Sequence, residues 1–272
     1  MTVLRMITAV AGVVAAALTT AGCGQAPAPS SSTSVASTAT PTSTATPAST
    51  TGSSPTTPSA ATTSGTSNGQ NYAVTTTTIE GSTDDRQGNW RMEFGELSGG
   101  NPAVVEAFNG ASHAAAMDQV EAAKEGTEPG AQWNFESNGQ VTFRSIAVAQ
   151  VIFGSLYYGA HPSHQIGTIV IDSRSADPIM LTDLFSDPQA GLDRLAEQTR
   201  TLLAQDGLEV SPDEPGAAPK AENFANWIPT ADGLEFHFNE YQFGPRLPAV
   251  VTVPWAQLSD VLAPAMAGLT KG

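Results

Sequence analysis

Between Gly24 and Gln70 there is no charged residue and no aromatic one, and nearly every position is Ser, Thr, Ala, Pro or Gly. A stretch of this composition cannot bury enough apolar surface to offset the entropy of ordering it. It is expected to be a disordered tether, so the folding part of the chain is confined to residues 71–272. As a flexible coil its 47 residues would span on the order of 40 Å.

Ahead of the tether, Arg5 is followed by an uncharged apolar run from Ile7 to Leu18, too short to cross a bilayer as a stable helix. The pattern predicts a signal peptide over residues 1–22. It closes on Thr20, Ala21, Gly22 and Cys23, and Cys23 is the sole cysteine of the chain. Small residues directly before a cysteine resemble the site cut by lipoprotein signal peptidase. Cys23 is therefore the expected acylation site, and lasting attachment follows from more than one acyl chain. The expected location is the extracytoplasmic face of the cell membrane, with the domain projecting into the wall or beyond. With no other cysteine for a disulfide, the domain must be held by burial alone.

Charge narrows the choice of partner. Ten basic residues face 26 acidic ones after residue 70, a net charge of −16. This disfavours nucleic acid and anionic lipid surfaces and favours a cationic protein, whose encounter it would accelerate.

The pattern after the tether is one of hairpins. Tyr72–Ile79 and Trp90–Leu97 alternate like paired strands, as do Trp133–Phe135 and Val141–Ala149, with Asn138 and Gly139 as the expected turn between the latter two. Val151–Tyr158, Gln165–Ile171, Phe224–Ile228, Leu234–Phe238 and Ala249–Val253 add further strands. Asn101 with Pro102 and Asp187 with Pro188 mark two helix starts, Gly126 and Gly207 their ends, and Pro254 opens a last short helix. The expected class is α+β: an antiparallel sheet with two main α-helices packed on one side and a short C-terminal helix.

Candidate site residues concentrate where the runs Val151–Tyr158 and Gln165–Ile171 meet. Two of the four tyrosines, Tyr157 and Tyr158, and two of the four histidines, His161 and His164, lie there. Adjacent strand residues point to opposite faces, so one tyrosine is expected in the core and the other outside. Tyr241, beside Glu240 in an irregular stretch, fits an anchor for a basic partner. The expected partner-binding set is thus Tyr157, Tyr158, His161, Glu240 and Tyr241. A hydrolase is the alternative, with Ser155 or Ser163 as nucleophile and His161 or His164 as base, aided by Asp172 or His237. No Gly-x-Ser-x-Gly turn marks a nucleophile. The spacing of His161 and His164 is that of an exposed turn, and no metal or cofactor is expected.

Several segments line up with one family in their order: Tyr158 to His161, then Asp183 to Phe185, then Leu234 to Tyr241, then Val251 to Trp255. Together they resemble the extracellular domain of RsiV-type anti-sigma factors, which is similar to that of secreted actinobacterial antigens, some described as esterases. The resemblance implies an antiparallel sheet with helices on one side. In the RsiV branch it also implies a surface that clamps lysozyme, a basic protein, at its cleft. Tyr158 and Gly159 stand where the family often has two glycines, and Glu240 where it has a proline before the recognition tyrosine. With so few residues ahead of the apolar run, no cytoplasmic portion and no anti-sigma role are expected.

Overall fold

The computed structural model describes residues 63–244 and 248–271. The expected signal peptide, Cys23 and the tether up to residue 62 lie outside the described residues. Among the described residues no helix is long and apolar enough to cross a membrane.

Strands β1 (Thr63–Ser67), β2 (Gln70–Ser82), β3 (Gly88–Gly99), β4 (Trp133–Arg144), β5 (Ala147–Tyr157) and β6 (Ser163–Asp172) form one sheet in that order. Neighbours are antiparallel except β3 and β4. Helix α1 (Pro102–Glu125) connects that pair, and a crossover of this kind leaves the strands it joins parallel. Helix α2 (Pro188–Gln205) follows, and β7 (Trp227–Pro229), β8 (Gly233–Phe238) and β9 (Ala249–Pro254) make a second, antiparallel sheet. Both helices begin where their caps predict. The Asn101 side chain accepts from the Ala103 N–H at 3.0 Å, and that of Asp187 from the Gln189 N–H at 3.0 Å.

The α+β class holds, but the layering differs from two helices on one side. Along β5, Val148 and Ile152 belong to one core with α1, whereas Ala147, Ala149 and Val151 belong to another with α2 and the small sheet. Since strand residues alternate between faces, α1 and α2 cover opposite faces of the large sheet. The apolar continuity of β5 reflects its burial on both sides. The expected C-terminal helix is two 3-10 segments, Trp255–Gln257 and Pro264–Thr270.

Two further expectations are corrected. The end of the presumed tether is a strand: β1 pairs with β2 through Asn68 and Gly69, whose φ values of 48° and 70° are those of a tight hairpin turn. Ser67 is buried, its Oγ 2.7 Å from Arg144 O and 2.6 Å from Ser173 Oγ. Asn138 and Gly139, in contrast, are not a turn. They lie inside an unbroken β4, and the turn to β5 is at Ser145 and Ile146.

Glycine is needed at 139 for another reason. The β3–β4 ladder ends at Met92 and Ser137, after which β3 crosses close over β4. A Cβ on Gly139 would lie 2.8 Å from Phe94 Cα and 2.6 Å from Gln150 Oε1. The fully buried Gln150 fills the gap, accepting from the Gly95 N–H at 2.5 Å and donating to Ser112 Oγ on α1 at 2.7 Å. Gly139→Ala is expected to cost about 1–3 kcal/mol through this clash. Urea unfolding checks it, with exposed Asn138→Ala as a control whose midpoint stays near wild type.

Candidate functional site

The hairpin of β5 and β6 carries most of the candidate residues, and its register sorts them. Ser155 lies directly opposite His164, and Leu156 opposite Ser163. Ser155, Tyr157 and His164 therefore face the α2 side of the sheet, and Ser163 the α1 side. Ser163 cannot serve His164, which removes one of the two expected nucleophiles from that base. The turn from Tyr158 to Pro162 closes the hairpin, with Gly159 at φ +84°, a conformation that favours glycine. His161 is exposed in this turn. Tyr157 is 50% exposed, while Tyr158 is half-buried against the α1 core.

A residue 76 positions away completes the site. Glu240, in the segment after β8, forms a short hydrogen-bonded contact through Oε1 with His164 Nδ1, and both side chains are partly buried. The His164 ring leans on Phe153 with centroids 5.1 Å apart. Glu240 is thus a half-buried support, not the free acid expected beside Tyr241. A second such pair stands nearby, His237 Nε2 to Glu235 Oε1 at 2.9 Å. His164 and His237 line one cleft of about 390 Å³ with Phe153, Ile166 and Val250. The His237 pair went unnoticed in sequence reading. Its signal was Glu235 and His237 two apart on one strand, which places them on the same face.

Tyr241 follows this half-buried pair and is 73% exposed at φ +62°. A bulky side chain in the left-handed region costs on the order of 1–3 kcal/mol and persists only where its surroundings enforce it. The enforcement is visible. Gln242 Nε2 donates to Gly216 O and Asn223 O, both at 2.9 Å, and its Oε1 accepts from the Asn239 N–H at 3.2 Å. The ring is thereby held out from a turn that is itself fixed on both sides.

On the other flank, a shallow depression of about 330 Å³ is lined by Arg91, Glu93, Glu136, Ser155 and Tyr157. Arg91 contacts both Glu80 and Glu93, the latter at 2.6 Å. Its charge is more than balanced, and the flank is acidic. Among the described residues no group of three or more His, Cys, Asp or Glu is placed to hold a metal.

Fold and site together define an α+β domain that displays a restrained aromatic residue beside two half-buried histidine–carboxylate pairs. Residues 182–256 match the model of a family described as a protein of unknown function, DUF3298. That span contains three of the four segments that carry the sequence resemblance. Two crystal structures are similar over most of their length. One is a member of the DUF3298 family from Bacteroides fragilis, at 14% identity and a TM-score of 0.51 over 75% of this chain and 98% of that one. The other is a DUF3298 family protein from Pseudomonas aeruginosa, also at 14% identity and 0.51, over 74% and 96%. At such identity the likeness is one of fold. No curated protein sequence matches.

Glu240→Ala is expected to leave His164 Nδ1 without its partner and to lower stability by about 1–3 kcal/mol. Urea unfolding reads the loss, and limited proteolysis is expected to show new cleavage within residues 239–244.

Proposed function

We propose that the protein is a lipid-anchored extracytoplasmic binding module for a basic protein, a lysozyme-like muramidase being the candidate to which the RsiV-type resemblance leads. The observation that carries this reading is Tyr241, exposed and held in a strained conformation by Gln242 and by the half-buried Glu240–His164 pair. Rigid, exposed tyrosines lose little entropy on docking and are common anchors of interfaces. Tyr157 on the same side of the sheet as His164, His161 in the hairpin turn and the acidic flank around Glu93 and Glu136 extend the surface. The net −16 of residues 71–272 supports encounter with a cation.

A second reading, an esterase acting on small esters, has one observation in its favour. Ser155 stands opposite His164, whose Nδ1 is held by Glu240, the order of a nucleophile, base and orienting acid. Against it, Ser155 makes no hydrogen bond to His164 among the described residues, and the imidazole leans on Phe153 instead. Binding is the better reading.

Calorimetry with hen lysozyme at low ionic strength tests the proposal. Binding that weakens with added salt and falls about 30-fold or more in Tyr241→Ala is expected, and no binding at low salt would exclude this partner. Aryl-ester hydrolysis lost in Ser155→Ala would favour the second reading instead. Cys23→Ser is expected to move the protein from the membrane fraction to the medium, and retention on the membrane would remove the anchor.

A further inference from the structure

Strand β6 is an edge of the large sheet, and only the C-terminal end of that edge is covered. The Asp172 N–H donates to Asp177 O at 2.8 Å, and Val170 O accepts from the Ile179 N–H at 2.9 Å. Residues 177–179 thus make an isolated antiparallel bridge, Pro178 to Ile171, at the C-terminal end of β6. Because outward and inward backbone groups alternate along an antiparallel strand, the N–H and C=O of Thr168 and Ile166 point outward as well. Among the described residues these groups have no backbone partner beyond β5, for the chain turns away at Met180 into the 3-10 segment Leu181–Leu184. Natural sheets usually blunt such an edge with proline, lysine or a covering element. Here Ile166 packs against the α2-side core, and the Thr168 hydroxyl accepts from the Trp227 N–H at 3.3 Å and donates to Ala225 O at 3.5 Å, while the backbone groups of both stay open.

Thr168, at the margin of the open stretch, forms with Ile169, Val170 and Ile171 the floor of a groove of about 600 Å³, within the size range of ligand clefts, and Ile166 lies just beyond it. One wall is α1, through Ala111, Ala114, Ala115 and Asp118; the other includes Glu222 and Ala225. The alanines leave room for a backbone and its side chains between helix and strand. No Lys or Arg lines the groove among the described residues. Lys220 reaches Glu222 only loosely, at 3.9 Å between exposed side chains, a pair of little strength. The groove therefore offers a row of alternating backbone donors and acceptors, apolar sides and two carboxylates.

We propose that this groove takes an extended, lysine- or arginine-bearing peptide segment of a partner protein as a further strand on β6, continuing the line begun by residues 177–179. Main-chain bonds to Ile166 and Thr168 supply the attachment, and Asp118 and Glu222 select basic side chains, the mode of recognition known as strand addition. The site lies along the sheet edge, between α1 and the segment of Glu222 and Ala225, and does not depend on Tyr241.

The probe is a capped hexapeptide of alternating valine and lysine, compared with one of alternating valine and glutamate, in amide hydrogen exchange followed by NMR. At about 1 mM peptide, the lysine peptide is expected to slow exchange at Ile166 and Thr168 about tenfold, and the glutamate peptide to leave both unchanged. Ala114→Arg, an exposed helix position, is expected to abolish the slowing while the melting temperature stays the same, and Asp118→Asn to weaken it. No slowing with the lysine peptide, or equal slowing with both peptides, overturns the proposal. Concentration-dependent self-association that Ala114→Arg removes also overturns it, since the occupant would then be a second copy of the chain.

Discussion

The side chain of Gln150 holds together the three parts of the large sheet's α1 face. Where β3 leaves its ladder with β4 and crosses above Gly139, a regular sheet would leave backbone groups without partners. Gln150 reaches up from β5 to take the Gly95 N–H and, through its amide nitrogen, also meets Ser112 on α1. One buried amide thus ties two strands and a helix at the point where the sheet is least regular. An apolar residue of the same size would leave Gly95 and Ser112 as buried polar groups without partners, the more costly arrangement. The long twisted hairpin of β2 and β3 can fold over the sheet only because this junction is satisfied.

The candidate site depends on a similar economy at the opposite face. Glu240 and Gln242, two residues apart, turn in different directions: one to His164 on β6, the other to backbone carbonyls at Gly216 and Asn223. Between them Tyr241 has nowhere to go but outward. The strained residue is stabilised by its neighbours rather than by any contact of its own ring, so the ring is available to something else. The esterase-like arrangement and the binding surface share His164 and Glu240, and differ in whether the pair acts on Ser155 or supports Tyr241.

Local signals in the sequence were legible wherever the controlling contact is local. Asn101 and Pro102, Asp187 and Pro188, and the glycine at 159 each act within a few residues, and each does what its chemistry predicts. Two of the three Asn-Gly dipeptides show the limit. At Asn68 and Gly69 the dipeptide forms a tight turn, inside a stretch whose composition suggested no structure at all. At Asn138 and Gly139 it sits in mid-strand, because a strand more than forty residues earlier passes over it. Nothing within either neighbourhood distinguishes the two. The same holds for the site: the opposed faces of Ser163 and His164 follow from strand periodicity, but the partnership of His164 with Glu240 spans 76 residues and exists only in the folded chain. The placement of α2 was likewise set by a second core that no helical stripe announces.

Both ends of the described domain are fastened to one two-residue turn. The Asn68 N–H, at the tip of the first hairpin, donates to Ser145 O at 2.7 Å, and the Ser145 N–H donates to Lys271 O at 3.0 Å, while Arg144 Nε donates to Leu269 O at 2.8 Å. The first hairpin and the last segment thus share a single clasp. Fraying of either end takes a hydrogen bond from Ser145, the residue to which the other end is bound. A load applied to the chain ahead of β1 is met by the join between β4 and β5 in the middle of the sheet, and the domain resists it as a whole.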